Sequence, residues 1–234
     1  MTTPSSWCVR PADHRFHSQS TWLDSWHSFS FAGHHHPEWM GFGPLRVIND
    51  DVLAAGHGFG MHPHRDMEII TVMVEGELHH RDSMGHAEVL RAGEVQRMSA
   101  GTGVVHSEVN GGQAPCRLLQ IWIEPASAGI PPDYEQKPFA LAEGWTPLID
   151  PQAADGAMAI HRSVRLWRAQ VPAGTELAWP ASERCASWLQ IITGGLALPQ
   201  PLVRGDGLGL AAGEAPASLQ VGADGVDLLL FELS

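Results

Sequence analysis

An all-β fold used twice is what this 234-residue sequence predicts, on three observations. Short apolar or alternating segments recur about every eight to twelve residues, the spacing of a β-sandwich or barrel. Glycine-containing turns separate them, and no stretch sustains a long helical period. The second half also repeats the first at lower fidelity. Residues 188–196 lie on residues 69–78, and residues 203–208 lie on residues 90–95. The length suffices for two small domains with real cores.

In chain order, residues 1–45 are rich in His, Trp and Ser, with a break at Gly41-Phe42-Gly43-Pro44. Residues 26–31 alternate aromatic and small polar side chains, which predicts a strand covering one face of a sheet. His34, His35 and His36 stand beside Pro37. Adjacent residues of an extended chain point in opposite directions, so the three read as a solvent loop rather than one metal site. Residues 45–52 predict a strand ending in an Asx-rich turn at Asn49-Asp50-Asp51. Residues 55–60 form a glycine-loosened approach to His62. They are not a phosphate loop, because no Lys-Ser/Thr and no helix follow.

Residues 68–74 are β-branched and apolar. Glu75-Gly76-Glu77 should turn them into a return strand over residues 78–83, giving a hairpin. Residues 89–98 read as two short strands around Gly93, and residues 117–123 as a core strand. Residues 124–138, rich in Pro and Gly and carrying the only tyrosine, Tyr134, read as a crossover between two halves, 1–135 and 136–234. A short helix is expected between Phe139 and Trp145.

Composition excludes several classes. Hydrophobic residues are 44% and charged residues 17% of the chain, which is globular rather than disordered. A formal net charge of −12 without a basic cluster argues against nucleic acid as a partner. Three scattered cysteines, Cys8, Cys116 and Cys185, make neither a disulfide framework nor a zinc ribbon. Cys116, beside an apolar run, is expected to be buried. No secretory h-region and no long apolar span is seen, so the expectation is a cytoplasmic protein without a membrane partner.

The chemistry concentrates in two stretches. His62 and His64 are spaced i, i+2, and so are His106 and Glu108; in strands each pair shares one face. If the two strands face each other, three imidazoles and one carboxylate converge. That set suits a divalent first-row metal and leaves open positions for water, substrate or dioxygen. Either pair alone is a weak signal; two such pairs in glycine-flanked strands of an all-β chain are a strong one. Glu68 is the competing carboxylate. It lies four residues beyond His64, roughly 13 Å along an extended strand, and could join only through a bulge. His57 reads as a loop residue near the pocket mouth. His79 and His80 point to opposite hairpin faces and read as structural, His161 is expected in the second barrel without a ligand partner, and Arg65 and Asp66 could support the imidazoles or form a strand-end ion pair.

The pattern Gly56-x5-His62-x-His64-x3-Glu68, then Gly93 and Gly103-x2-His106-x3-Asn110, resembles the two motifs of the cupin superfamily. The late glycine at Gly76 and Ser99 in place of a proline are departures shared with pirin-like sequences. Residues 26–31, 42–47, 62–68, 99–108 and 134–137 resemble the pirin family more fully. The resemblance implies a bicupin: two double-stranded β-helix (jelly-roll) barrels packed together. It further implies a metal in the N-terminal barrel only, iron(II) first and Mn, Ni, Cu, Co or Zn also accommodated, held by His62, His64, His106 and Glu108. Carrying the repeat across puts Pro180, Ser182, Ser218 and Gln220 at those places in the second barrel. The implied activity is that of a quercetin 2,3-dioxygenase, opening the central ring of a flavonol with dioxygen, with Glu108 as both ligand and general base. Nine Trp and seven Phe could wall a small aromatic substrate. The alternative is a non-enzymatic, redox-sensing metal protein that docks a protein partner. A monomer is the simplest expectation, since two barrels in one chain can cover each other.

Overall fold

The structure is a computed structural model that describes residues 7–234, so the first six residues of the N-terminal segment lie outside the described residues. The chain gathers into two compact units and does not divide at a single point. One unit takes Phe16–Phe139 and Ile160–Arg162, so His161, expected in the second barrel, groups with the first. The other takes the described part of Met1–Arg15 together with Ala140–Ala159 and Ser163–Ser234. Strand β1 (Cys8–Arg10) accordingly pairs with Gly207–Leu210 in the second unit.

The first unit is a barrel of β2 (Phe16–Gln19), β3 (Leu23–His27), β4 (Leu45–Leu53), β5 (Gly58–His64), β6 (Glu68–Glu75), β7 (Glu77–Asp82), β8 (Ala87–Arg91), β9 (Glu94–Ser99), β10 (Val104–Val109), β11 (Cys116–Ile123) and β12 (Asp133–Pro138). Among the described residues these make a seven-stranded sheet, β12-β9-β6-β11-β4-β3-β2, and a four-stranded sheet, β5-β10-β7-β8. The sheets pack through apolar residues from both. Leu53, Met73, Cys116 and Leu118 of the larger meet Leu78 and Leu90 of the smaller. Ile69 and Met98 likewise meet Val104. Cys116 is buried as expected.

Five local expectations are corrected. The strand predicted over residues 26–31 is instead Leu23–His27, and the chain leaves the sheet at Ser28. Asn49, Asp50 and Asp51 are not a turn. They sit inside β4, buried, paired with β3 on one side and β11 on the other. Polar residues survive there because partners arrive from distant strands: Arg117 forms a two-pronged ion pair with Asp50, and Ser25 donates to Asp51. The segments flanking Gly76 are not a hairpin: β6 pairs with β9 and β11, and β7 with β8 and β10. Gly76 is the corner between sheets, with φ +76°, and a Cβ there would lie 2.8 Å from that of Cys116. Residues 133–138 of the expected crossover add β12 to the larger sheet, and no helix forms between Phe139 and Trp145.

The second unit is built from β13 (Trp145–Ile149), β14 (Val164–Val171), β15 (Glu176–Ala178), β16 (Ala186–Leu196), β17 (Leu202–Val203), β18 (Gly207–Leu210) and β19 (Ser218–Leu233), with β1 on its edge. Its interior is aliphatic, including Leu189, Ile191, Leu208, Leu219, Leu228 and Leu230. Ser218 and Gln220 lie in the β15–β19 ladder, where Ser218 donates to Glu176. Among the described residues no helix is long and apolar enough to cross a membrane.

Candidate metal centre

β5 and β10 are antiparallel neighbours, and the register sets His62 directly opposite His106 and His64 opposite Val104. The i, i+2 periodicity then turns all three rings to one side. Their centroids are 4.5 Å (His62–His106), 4.8 Å (His62–His64) and 4.8 Å (His64–His106) apart. One nitrogen from each falls within 4.8 Å of the others. A register shift in β10 between His106 and Glu108 brings Glu108 opposite Phe59. Glu108 falls within the same 4.8 Å limit of His106 and of His80 rather than of all three imidazoles. Its carboxylate is buried; one oxygen accepts from Gln120 Nε2 at 2.7 Å and the other from Thr71 Oγ1 at 3.4 Å.

The donor set fits a divalent metal. His62 Nδ1 donates to the Gly60 carbonyl at 2.7 Å, which fixes the proton there and leaves Nε2 as a lone-pair donor. That Nε2 lies 3.1 Å from Nε2 of His106. His64 Nε2 is buried with no hydrogen-bond partner. Burial, first of all, and the other two rings hold the His64 imidazolium down to about 4. Burial, His62 and His80 hold that of His106 down to about 3. The His64 and His106 rings are therefore neutral at pH 7, the state a metal needs.

One neighbour escaped the sequence reading. His80 is fully buried, its ring 5.3 Å from His106 and stacked 4.7 Å from Tyr134. Its Nε2 donates to Asp82 at 3.0 Å, and Asp82 also takes the His86 Nδ1–H at 2.9 Å. The signal was present as alternation: β7 turns Leu78, His80 and Asp82 inward, and β10 lies beside it with His80 opposite Glu108. The other candidates stand apart. Glu68 is buried and accepts from Ser99 Oγ at 2.7 Å. His79 bonds Glu77, His57 is exposed and bonds the Ala55 carbonyl, and Asp66 accepts from the Gly129 N–H. Arg65 is exposed. His35 and His36 are exposed, whereas His34 is half-buried against Phe16.

A cavity of about 250 Å³ opens on the imidazoles. Its floor is the larger sheet, where residues two apart share the inner face: Leu23, Ser25 and His27 of β3, Asn49 and Asp51 of β4, Gln120 and Trp122 of β11. Phe31, Phe59, His62 and His64 close it. Trp122 meets His64 edge-on at 5.0 Å, and Phe31 meets Trp122 edge-on at 5.4 Å. Flat apolar walls beside a cluster of metal donors form a concave site for a planar ligand.

Comparison with known proteins places this architecture. The family model described as Pirin matches residues 9–123, and that described as the quercetinase C-terminal cupin domain matches residues 148–233. Quercetin 2,3-dioxygenase of Escherichia coli (strain K12) is 42% identical over 227 residues, 96% of this chain and 97% of that protein. A bacterial pirin from Escherichia coli, YhhW, solved in complex with nickel(II), superposes with a TM-score of 0.90 at 40% identity, covering 97% of this chain and 98% of the other. A quercetin 2,3-dioxygenase from Acinetobacter baumannii, at 21% identity and a TM-score of 0.76, shares the fold over 97% of this chain and 85% of its own.

Proposed function

Because the chain belongs to the pirin family, we propose that it is a metal-dependent dioxygenase that opens the central ring of a flavonol such as quercetin. We assign His62, His64 and His106 as ligands of a divalent first-row ion, with Glu108 as the carboxylate donor. Iron(II) is the ion the resemblance implies, and nickel(II) occupies the Escherichia coli relative. One observation carries the proposal: three imidazoles converge beside an aromatic-lined cavity, and His64 Nε2 and His106 Nδ1 are buried without a hydrogen-bond partner.

When bound, such an ion supplies Lewis-acid and redox chemistry at that wall. The chain's own residues do the rest. Phe31, Phe59 and Trp122 take the flat faces of the flavonol and keep water from it. The Gly60 carbonyl fixes the His62 tautomer, and Asp82 orients His80 beside His106. Gln120 and Thr71 hold Glu108 in place. Held in that way, Glu108 is assigned here to ligation.

A cavity that ends on the imidazoles favours an enzyme over a regulator that acts by docking a protein. The test is aerobic incubation of metal-loaded protein with quercetin. Loss of the flavonol absorption band with stoichiometric carbon monoxide, both absent in His62→Ala, is expected. Quercetin left intact by the loaded protein contradicts the proposal.

A further inference from the structure

Asp51 lies on the cavity floor, fully inside the barrel, and among the described residues no ion pair reaches it. Its neighbour Asp50 faces the other way and is matched by Arg117. An acid buried without a cation is costly, and at a cavity wall that cost marks a working group. Its Oδ1 accepts from Ser25 Oγ, and Ser25 begins a chain of side chains on β3 and β2.

Placing the His27 proton on Nδ1 gives that chain one self-consistent set of hydrogens. His34 Nε2–H donates to Ser18 Oγ at 3.0 Å, and Ser18 Oγ–H to His27 Nε2 at 2.9 Å. His27 Nδ1–H donates to Asn49 Oδ1 at 2.8 Å and reaches Ser25 Oγ at 3.4 Å, and Ser25 donates to Asp51. The chain runs from a half-buried ring beside the exposed His35 to a carboxyl in the cavity. Every donor in it points inward.

We propose that Asp51 is the catalytic acid–base group of this cavity, taking the proton of the substrate hydroxyl, and that Ser25, His27, Ser18 and His34 connect it to solvent. The proposal rests on the dioxygenase assignment for the identity of the substrate. In the step, the substrate O–H bond breaks, a new O–H bond forms on Asp51, and the negative charge passes from the carboxylate to the substrate oxygen. No electrons leave either partner. The proton then returns to the product, and export to solvent along the chain requires its hydroxyls and rings to reverse their hydrogen bonds first.

The groups facing Asp51 make it suited to that exchange. Burial above all, with Asp50 on its own strand and Glu108 from β10, pushes its carboxyl up to about 7, while the Ser25 hydroxyl from β3 opposes the rise. Cys116 from β11 faces it as a neutral thiol, pushed up to about 11. A group that titrates near neutrality both accepts and returns a proton readily.

Three measurements on the metal-loaded full chain test this, with quercetin as the probe. Asp51→Asn should keep its metal and lose roughly 10²- to 10⁴-fold in kcat/KM, together with the acid limb of the pH profile. Ser25→Ala, a smaller change, should move that limb to higher pH, because the lost hydrogen bond favoured the carboxylate. Without oxygen, the wild type should bind quercetin with the red-shifted band of the flavonol anion, and Asp51→Asn with the band of the neutral flavonol. An Asp51→Asn protein with the wild-type acid limb or the anion band overturns the proposal, as does a Ser25→Ala limb that stays put. A wild type that forms the anion without opening the ring contradicts the dioxygenase assignment alone.

Discussion

His62 and His106 stand directly opposite each other across the β5–β10 ladder, with their Nε2 atoms 3.1 Å apart. Two ring nitrogens at that distance share a proton or share a metal, since two bare lone pairs repel. The Gly60 carbonyl holds the proton of His62 on Nδ1, so its Nε2 lone pair is free to take either a proton from His106 or a metal shared with it.

The carboxylate that completes this donor set can be identified by substitution. Glu108→Gln should weaken metal binding at least about tenfold by competitive chelator titration, since the site loses its one anionic donor. Glu68→Gln should leave affinity unchanged, because Glu68 is held by Ser99.

Asp82 does not touch the imidazole cluster, yet it holds His80 beside His106 and also accepts from His86. Asp82→Asn should keep the fold while lowering metal affinity by less than the roughly 10- to 100-fold lost when a ligand's own orienting partner is removed, because His80 packs beside a ligand and is not one. Unchanged affinity in the same titration would show that His80 needs no such anchor.

Asp51 makes stability depend on pH in a direction opposite to most carboxylates. Its folded-state pKa is raised from the ordinary 3.8 to about 7. Its contribution is fully present below pH 4 and lost as pH rises through 7, because ionising the buried group is harder in the folded protein. Asp51→Asn cannot ionise. In metal-free protein it should exceed the wild type at pH 8 by on the order of 2–4 kcal/mol, each pKa unit being worth about 1.4 kcal/mol, and show no such gain near pH 4. Urea denaturation at the two pH values measures the difference.

Gly76→Ala tests the corner between the sheets. Its φ of +76° and the 2.8 Å approach of a new Cβ to Cys116 should together cost about 1–3 kcal/mol of stability. Gly93→Ala, also at positive φ (+85°) but with open space around it, should cost less.

The candidate site was readable in the sequence where chemistry and local periodicity coincide. His62, His64 and His106 follow from i, i+2 spacing in glycine-flanked strands, and the strand register brings them together. What escaped depends on contacts between strands far apart in the chain. Asn49-Asp50-Asp51 has the composition of a turn; only Arg117 and Ser25, arriving from other strands, make it a buried strand and place Asp51 on the cavity floor. Glu75-Gly76-Glu77 has the composition of a hairpin turn; only the pairing of β6 and β7 with different strands reveals a corner. His80 read as structural because its partner strand β10 lies more than twenty residues away.

Metal content before and after substitution tests the central claim most directly. Elemental analysis of the purified protein, loaded with iron(II) or nickel(II) and freed of excess by gel filtration, should find one ion per chain. His62→Ala and His106→Ala, shown to be folded by circular dichroism, should retain substantially less than one. A wild type that holds no stoichiometric metal under any loading condition, or variants that hold it undiminished, would contradict the assignment of these imidazoles as a metal centre.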